Sequence, residues 1–298
     1  MVKIRPIIDI AFKKIFGVEE NKDLLISLIN SIIDEQDQVI EIELLNPYTS
    51  QNFIKQKLAI LDIKAKSQDG KIFNIEMQIG ADIDYEDRAL FYWSKLYNDQ
   101  LERGNNYKSL SKTIGIHILN FTIMHAEEKY HNVYQIKERD NNKHYFKKFE
   151  LHTIELNKFT KNSDDKLSNI IPKIKTSLDQ WVAFLTKSSL LQEDNLPQQL
   201  DNKNIKKALS VLNVMNLNKL ESEIYEDHAK WLSTEASILL SSQTTSKAEG
   251  KIEGKIEGKM ESKIEIAKNL LKLTLTDEQI IFSTGLSEID LKNIKQNL

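Results

Sequence analysis

One stretch constrains this chain more than any other. Residues 58–66 (Leu-Ala-Ile-Leu-Asp-Ile-Lys-Ala-Lys) and 71–79 (Lys-Ile-Phe-Asn-Ile-Glu-Met-Gln-Ile) are two strand-like runs, and the loop between them contains Asp69-Gly70. An Asp-Gly turn between two such runs is a strong hairpin signal. A three-residue loop, Gln68-Asp69-Gly70, with its glycine left-handed, pairs Ser67 with Lys71. That register sets Asp62 opposite Glu76, Lys64 opposite Asn74 and Ile60 opposite Gln78.

Directly opposed residues of a hairpin have Cβ atoms roughly 4.5–5.5 Å apart, so Asp62 and Glu76 repel unless something offsets their charge. A hard divalent cation is the natural partner. Mg²⁺ prefers oxygen ligands and takes one or two carboxylates, completing its shell with water and substrate phosphate. Such a pair suits metal-assisted phosphodiester hydrolysis. The alternative is a solvated face on which Lys64 and Lys66 balance both acids. A loop one residue shorter or longer would also send Glu76 to the other side of the sheet. Apolar neighbours on both strands (Leu58, Ile60, Leu61 and Ile63; Ile75, Met77 and Ile79) favour an interior position.

Around the hairpin, apolar residues recur at three- and four-residue steps over 7–33, with Gly17 as a break, and again over 84–101; both read as helices. In the second of these, Tyr92, Trp93 and Tyr97 read as core. Residues 39–45 alternate as a strand ended by Asn46-Pro47, and 113–121 form an almost unbroken apolar run, as expected of a strand covered on both faces. Residues 130–136 and 144–156 read as two more strands around a polar turn at 139–143, and from about 163 onward only helices are expected. The order is that of an α/β protein, a mixed central sheet flanked by helices with a helical C-terminal region.

The chain has no cysteine, which excludes disulfides, thiolate zinc sites and cysteine nucleophiles. His117 reads as a core histidine, and the other five histidines show no metal-ligand spacing. There is no apolar leader and no run long enough to span a bilayer, so a cytoplasmic protein with no membrane partner is expected. A net charge of −3 weighs mildly against nucleic-acid binding. Lys143-His-Tyr-Phe-Lys-Lys148 mixes basic and aromatic residues, as nucleic-acid surfaces and lysine-protected strand edges both do.

Asp62 followed by Glu76-Met-Gln78 resembles the Asp…Glu-x-Lys signature of PD-(D/E)xK nucleases. Asp9-Ile-Ala-Phe-Lys-Lys-Ile-Phe-Gly17, Asn74-Ile-Glu-Met-Gln78, Arg88…Tyr92-Trp93…Tyr97, Ile154-Glu-Leu-Asn-Lys-Phe159 and Leu178-Asp-Gln-Trp-Val-Ala-Phe-Leu185 resemble successive segments of the recombination-promoting nucleases, also described as PD-(D/E)xK family transposases. The resemblance implies a restriction-endonuclease-like core that binds a metal at the carboxylate strands and cleaves DNA in recombination or transposition. Mg²⁺ is the expected ion, with Mn²⁺ or Ca²⁺ as substitutes. It assigns Asp62 and Glu76 as metal ligands, Gln78 as the polar third-strand position and Asp9 as the first-helix acid. An ordinary dipole-favoured N-terminal acid explains Asp9 equally well. Lys13, Lys14, Lys64 and Arg88 are candidate DNA contacts. Solvated lysines and an Arg88–Asp84 surface pair are the plainer readings. The sequence departs from the family twice: Gln78 replaces the usual lysine, for which Lys64 could substitute, and Asn157 replaces a proline. A non-catalytic DNA-binding or self-associating relative of the same fold is the alternative function.

The resulting division is a nuclease core over 1–160, a helical extension packed on it over 161–245, a Lys-Ile-Glu-Gly repeat over 246–268 and a small helical hairpin over 269–298. The repeat stacks like charges at i, i+4 and carries three glycines, Gly250, Gly254 and Gly258, each costing about 1 kcal/mol in a helix. It reads either as a helix that needs a partner, giving a homo-oligomer, or as a tether.

Overall fold

The computed structural model describes residues 4–48, 62–80, 84–101, 104, 106–160, 166–234, 262–269, 271 and 276–296. Residues 58–61 of the first hairpin strand and most of the Lys-Ile-Glu-Gly repeat lie outside this set. The chain forms two compact units, Met1–Leu232 and Ser233–Leu298.

Among the described residues of the first unit, six strands form one mixed sheet in the order β1-β2-β3-β4-β6-β5. These are β1 Ile42–Leu44, β2 Ile63–Ser67, β3 Ile72–Gln78, β4 Thr113–Leu119, β5 His131–Ile136 and β6 Phe146–Glu155. β3 runs parallel to β4 and β4 parallel to β6, while the flanking pairs are antiparallel. All seven residues of β4 are buried, as its continuous apolar run requires.

The hairpin has the register that its loop demands. Gly70 adopts φ +84°, Ser67 N–H donates to Lys71 O at 2.9 Å, and Lys64 pairs with Asn74 and Ile63 with Ile75. A residue with a Cβ is strained at that φ, which is why glycine stands there.

The two faces of the sheet differ. On one, Ile63, Ala65, Phe73, Ile75, Met77, Ile114, Ile116 and Ile118 join a single core with α1 (Asp9–Phe16), α2 (Lys22–Ile32), α4 (Ser177–Lys187) and α5 (Lys203–Asn213). Phe16 meets Trp181 edge-on at 5.3 Å, and Trp181 Nε1 donates to Ser27 Oγ. The other face is covered in part by α3 (Tyr85–Asn98), whose Tyr85 and Ala89 pack on Leu119 and Phe121. Trp93 of α3 donates to Thr113 O at 3.0 Å and packs edge-on against Phe149. Trp93 and Tyr97 are half-buried and stacked, but Tyr92 is 46% exposed. The expectation that Tyr92 is core is therefore wrong. Helical spacing does not distinguish the edge of a buried stripe from the solvent side next to it.

The second unit buries Ala267, Ile280, Leu286, Leu291 and Ile294 between a helix over 262–269 and the helices Asp277–Thr284 and Glu288–Gln296. Thr276 and Gln279 form a capping box at the first of those, and Ser287 with Asp290 makes the equivalent pair of bonds at the second.

Candidate functional site

Strand alternation places Asp62, Lys64, Asn74, Glu76 and Gln78 on the face opposite the main core. Parallel pairing with β4 adds His117 beside Glu76, and β6 adds Thr153 beside His117. The result is a polar row across the middle of an otherwise apolar sheet.

The hairpin register carries Asp62 opposite Glu76, and the two charges interact. Burial raises the Asp62 pKa above the ordinary carboxylate range. Glu76 pushes it the same way, while Lys64 and Lys13 pull it back. The Lys64 ammonium stands 3.6 Å from Asp62 Oδ2. Asn74 Nδ2 donates to Glu76 Oε1 at 2.8 Å and Gln78 Nε2 donates to Glu76 Oε2 at 3.3 Å, so two amides orient this carboxylate.

The backbone at Asp62 is pinned from two sides. Lys13 Nζ reaches from α1 to donate to Asp62 O at 2.9 Å. Asn46 donates through Nδ2 to the same oxygen at 3.1 Å and accepts Lys64 N–H on its Oδ1 at 2.7 Å. Asn46 thus prolongs the β1 edge past the end of its own strand. In the sequence Asn46 reads only as a strand terminator. Its one signal was an amide side chain directly after a short strand. Lys13 is 4% exposed, and burial lowers its pKa to about 8 against the opposing pull of Asp62. Such a lysine holds a backbone oxygen and offsets a buried acid; it is not a solvated face residue.

The remaining candidates go elsewhere. Lys14 pairs with buried Glu221 at 2.7 Å and donates to Asn216 O, and Tyr48 donates to the same glutamate. Asp9 lies in the first turn of α1 with His228 Nδ1 3.6 Å from its Oδ2, and burial raises its pKa to about 7. Among the described residues, no three carboxylate or imidazole groups gather closely enough to hold a metal ion, so Asp9 does not complete a triad with Asp62 and Glu76. Arg88 lies on α3, and its charge acts on His117 and Tyr85. His117 is 1% exposed and shares a 2.8 Å hydrogen bond with the Tyr85 hydroxyl. Burial lowers its pKa, which favours neutral imidazole. It is a satisfied core histidine, as read from the sequence, although it sits next to Glu76.

The donor set fits a hard cation. Gln78 Oε1 and Asn74 Oδ1 are buried oxygens with no hydrogen-bond partner, next to Glu76 and to Asp62, whose pKa burial raises. Oxygen atoms without a donor, gathered around two acids, match what Mg²⁺ or Ca²⁺ takes.

A model of the PD-(D/E)XK nuclease family transposases matches residues 6–241. The chain belongs to this family. No curated protein and no solved structure matches it. The family match spans the sheet, α1 and the helices that share its core. In the signature that gives the family its name, a lysine stands two residues beyond the third-strand acid; here that position is Gln78.

Proposed function

We propose that this chain is a divalent-metal-dependent DNA endonuclease acting in recombination or transposition, with Asp62 and Glu76 as its metal ligands. The carrying observation is the convergence of these two acids on one face of the sheet, with Asp62 held above its usual pKa. Mg²⁺ is the expected ion, with Mn²⁺ or Ca²⁺ as substitutes. When bound, it would supply positive charge at the scissile phosphate and a water of lowered pKa. Gln78 keeps Glu76 oriented through Nε2, and its free Oε1 can accept a hydrogen bond from the attacking water. Lys64 and Lys13 supply the positive charge that Gln78 lacks. Lys64 is the counter-charge of Asp62, and Arg88 is the candidate DNA contact. Lys13 and Lys14 have structural partners instead.

Residues 1–160 form the catalytic core in this reading, 161–245 brace it, the repeat over 246–268 brings copies together and 269–298 form a separate small hairpin. The protein works in the cytoplasm. Among the described residues, no helix is long and apolar enough to cross a membrane.

Purified protein with Mg²⁺ should nick or linearise plasmid DNA, and Asp62→Ala should abolish this. No cleavage with Mg²⁺, Mn²⁺ or Ca²⁺ removes the reading. Gln78 and the net charge of −3 favour a second one, a non-catalytic DNA-binding protein of the same fold. Equal DNA retention by wild type and Asp62→Ala, with no cleavage by either, selects it.

A further inference from the structure

A helix over 219–234 runs past α1 and presents residues at three- and four-residue steps. Glu221 takes Lys14 and Tyr48, the Tyr225 hydroxyl accepts Arg5 N–H at 2.9 Å, and His228 faces Asp9. Trp231 comes next on this face. Its indole lies against Gly80, where a Cβ would overlap the ring.

The position of that contact is informative. Glu76 and Gln78 lie on the site face, Ile75, Met77 and Ile79 belong to the core, and Gly80 comes two residues after Gln78, the last residue of the strand. Gly80 lacks a side chain, and the indole fills the space that one would take. Trp231 thus packs just past the end of the strand that carries Glu76 and Gln78. It is also 42% exposed. Trp181, in contrast, is buried against Phe16 and Phe184.

We infer that Trp231 is a stacking platform for an unpaired nucleobase of the DNA strand entering the carboxylate site. This rests on the nuclease reading above and adds a substrate preference to it. A half-exposed indole can stack with a base only when that base is out of the duplex. The enzyme then prefers single-stranded or locally opened DNA at the point of cleavage.

The test uses the full chain carrying Asp62→Asn, so that DNA stays intact, with a short single-stranded oligonucleotide and the matching duplex as probes. Binding of the single strand should quench tryptophan fluorescence, and Trp231→Phe should lose the quench while keeping affinity within about threefold. Trp231→Leu keeps an apolar cover on Gly80 but removes the stacking plane. It should weaken single-strand binding about tenfold, the scale of one base–aromatic stack, and leave duplex binding unchanged. Gly80→Ala displaces the ring and should act in the same direction. In the cleavage-competent protein, Trp231→Leu should raise KM for single-stranded substrate with little change in kcat. Equal single-strand affinity for wild type and Trp231→Leu in a protein that cleaves DNA overturns this inference alone. Absence of any DNA binding by wild type overturns the nuclease reading and this inference together.

Discussion

Two clusters of buried charge lie on opposite faces of the same sheet, and they are built on opposite principles. Behind the sheet, Glu150 accepts from Lys112 at 3.0 Å and from Gln135 at 2.8 Å and meets His152 at 3.1 Å. Lys112 also bonds Asp37, and His152 bonds His131. Burial alone would raise the Glu150 pKa, but the hydrogen bonds from His152, Gln135 and Lys112 outweigh it and hold the group at about 2. Every charge there is answered by a neighbour. On the other face, burial raises the Asp62 pKa, Glu76 adds repulsion, and buried amide oxygens remain without donors. The first cluster stabilises the fold. The second holds a carboxylate whose charge is disfavoured by burial and by a second acid.

The largest effect that can break this contrast is on activity. Asp62→Asn should lower metal-dependent cleavage at least about a thousandfold, the several kcal/mol that charge stabilisation by a metal contributes. It should leave stability unchanged or higher, because a buried, repelled charge is removed. A marked loss of stability would mean that Asp62 is structural, and the contrast would fail.

Glu150→Ala should do the reverse. Removing Glu150 leaves Lys112 with Asp37 alone and takes a partner from Gln135 and from His152, which costs about 1–3 kcal/mol, read as a lower denaturant midpoint, while folded protein keeps its metal response. The pH dependence follows from the depressed pKa. Stability from Glu150 is complete above the unfolded value near 4.5 and is lost as pH falls towards about 2. Denaturant titrations of wild type and Glu150→Gln should therefore converge at low pH.

Asp9 carries the opposite sign. Its folded pKa of about 7 lies above the 3.8 of a free aspartate, so the native state holds a proton that the unfolded chain has released. Stability should fall as pH rises from about 4 to 7, by at most about 4 kcal/mol. Asp9→Asn should flatten that slope and be the more stable protein at pH 8. A wild-type slope that survives the substitution would assign the titration to another group.

The sequence made one of these clusters legible and concealed the other. Asp62 and Glu76 are close along the chain, and the parity of a three-residue loop was enough to pair them. Lys112, Asp37 and Glu150 come together only through the β4–β6 pairing and a distant turn, which no local pattern encodes. The same limit hid His117 beside Glu76, since parallel neighbours are joined by a crossover whose register the sequence does not state. It also hid the Lys14–Glu221 pair, formed between α1 and a helix more than two hundred residues away. Asn46 was visible but was read for its backbone rather than its amide. Tyr92 was read from periodicity alone, which gives a stripe and not its edges.

The smallest effect sharpens the comparison most. Lys64 is 36% exposed and 3.6 Å from Asp62, so as an ion pair it is screened and contributes less than about 1 kcal/mol to stability. It nevertheless pulls the Asp62 pKa down. Lys64→Met should leave the unfolding midpoint nearly unchanged and raise the Asp62 pKa. Metal binding requires the ionised carboxylate, so the acid limb of the cleavage–pH profile should move to higher pH while the plateau rate stays close to wild type. A fall in the plateau with an unmoved limb would mean that Lys64 contacts the phosphate directly and is not merely the counter-charge of Asp62.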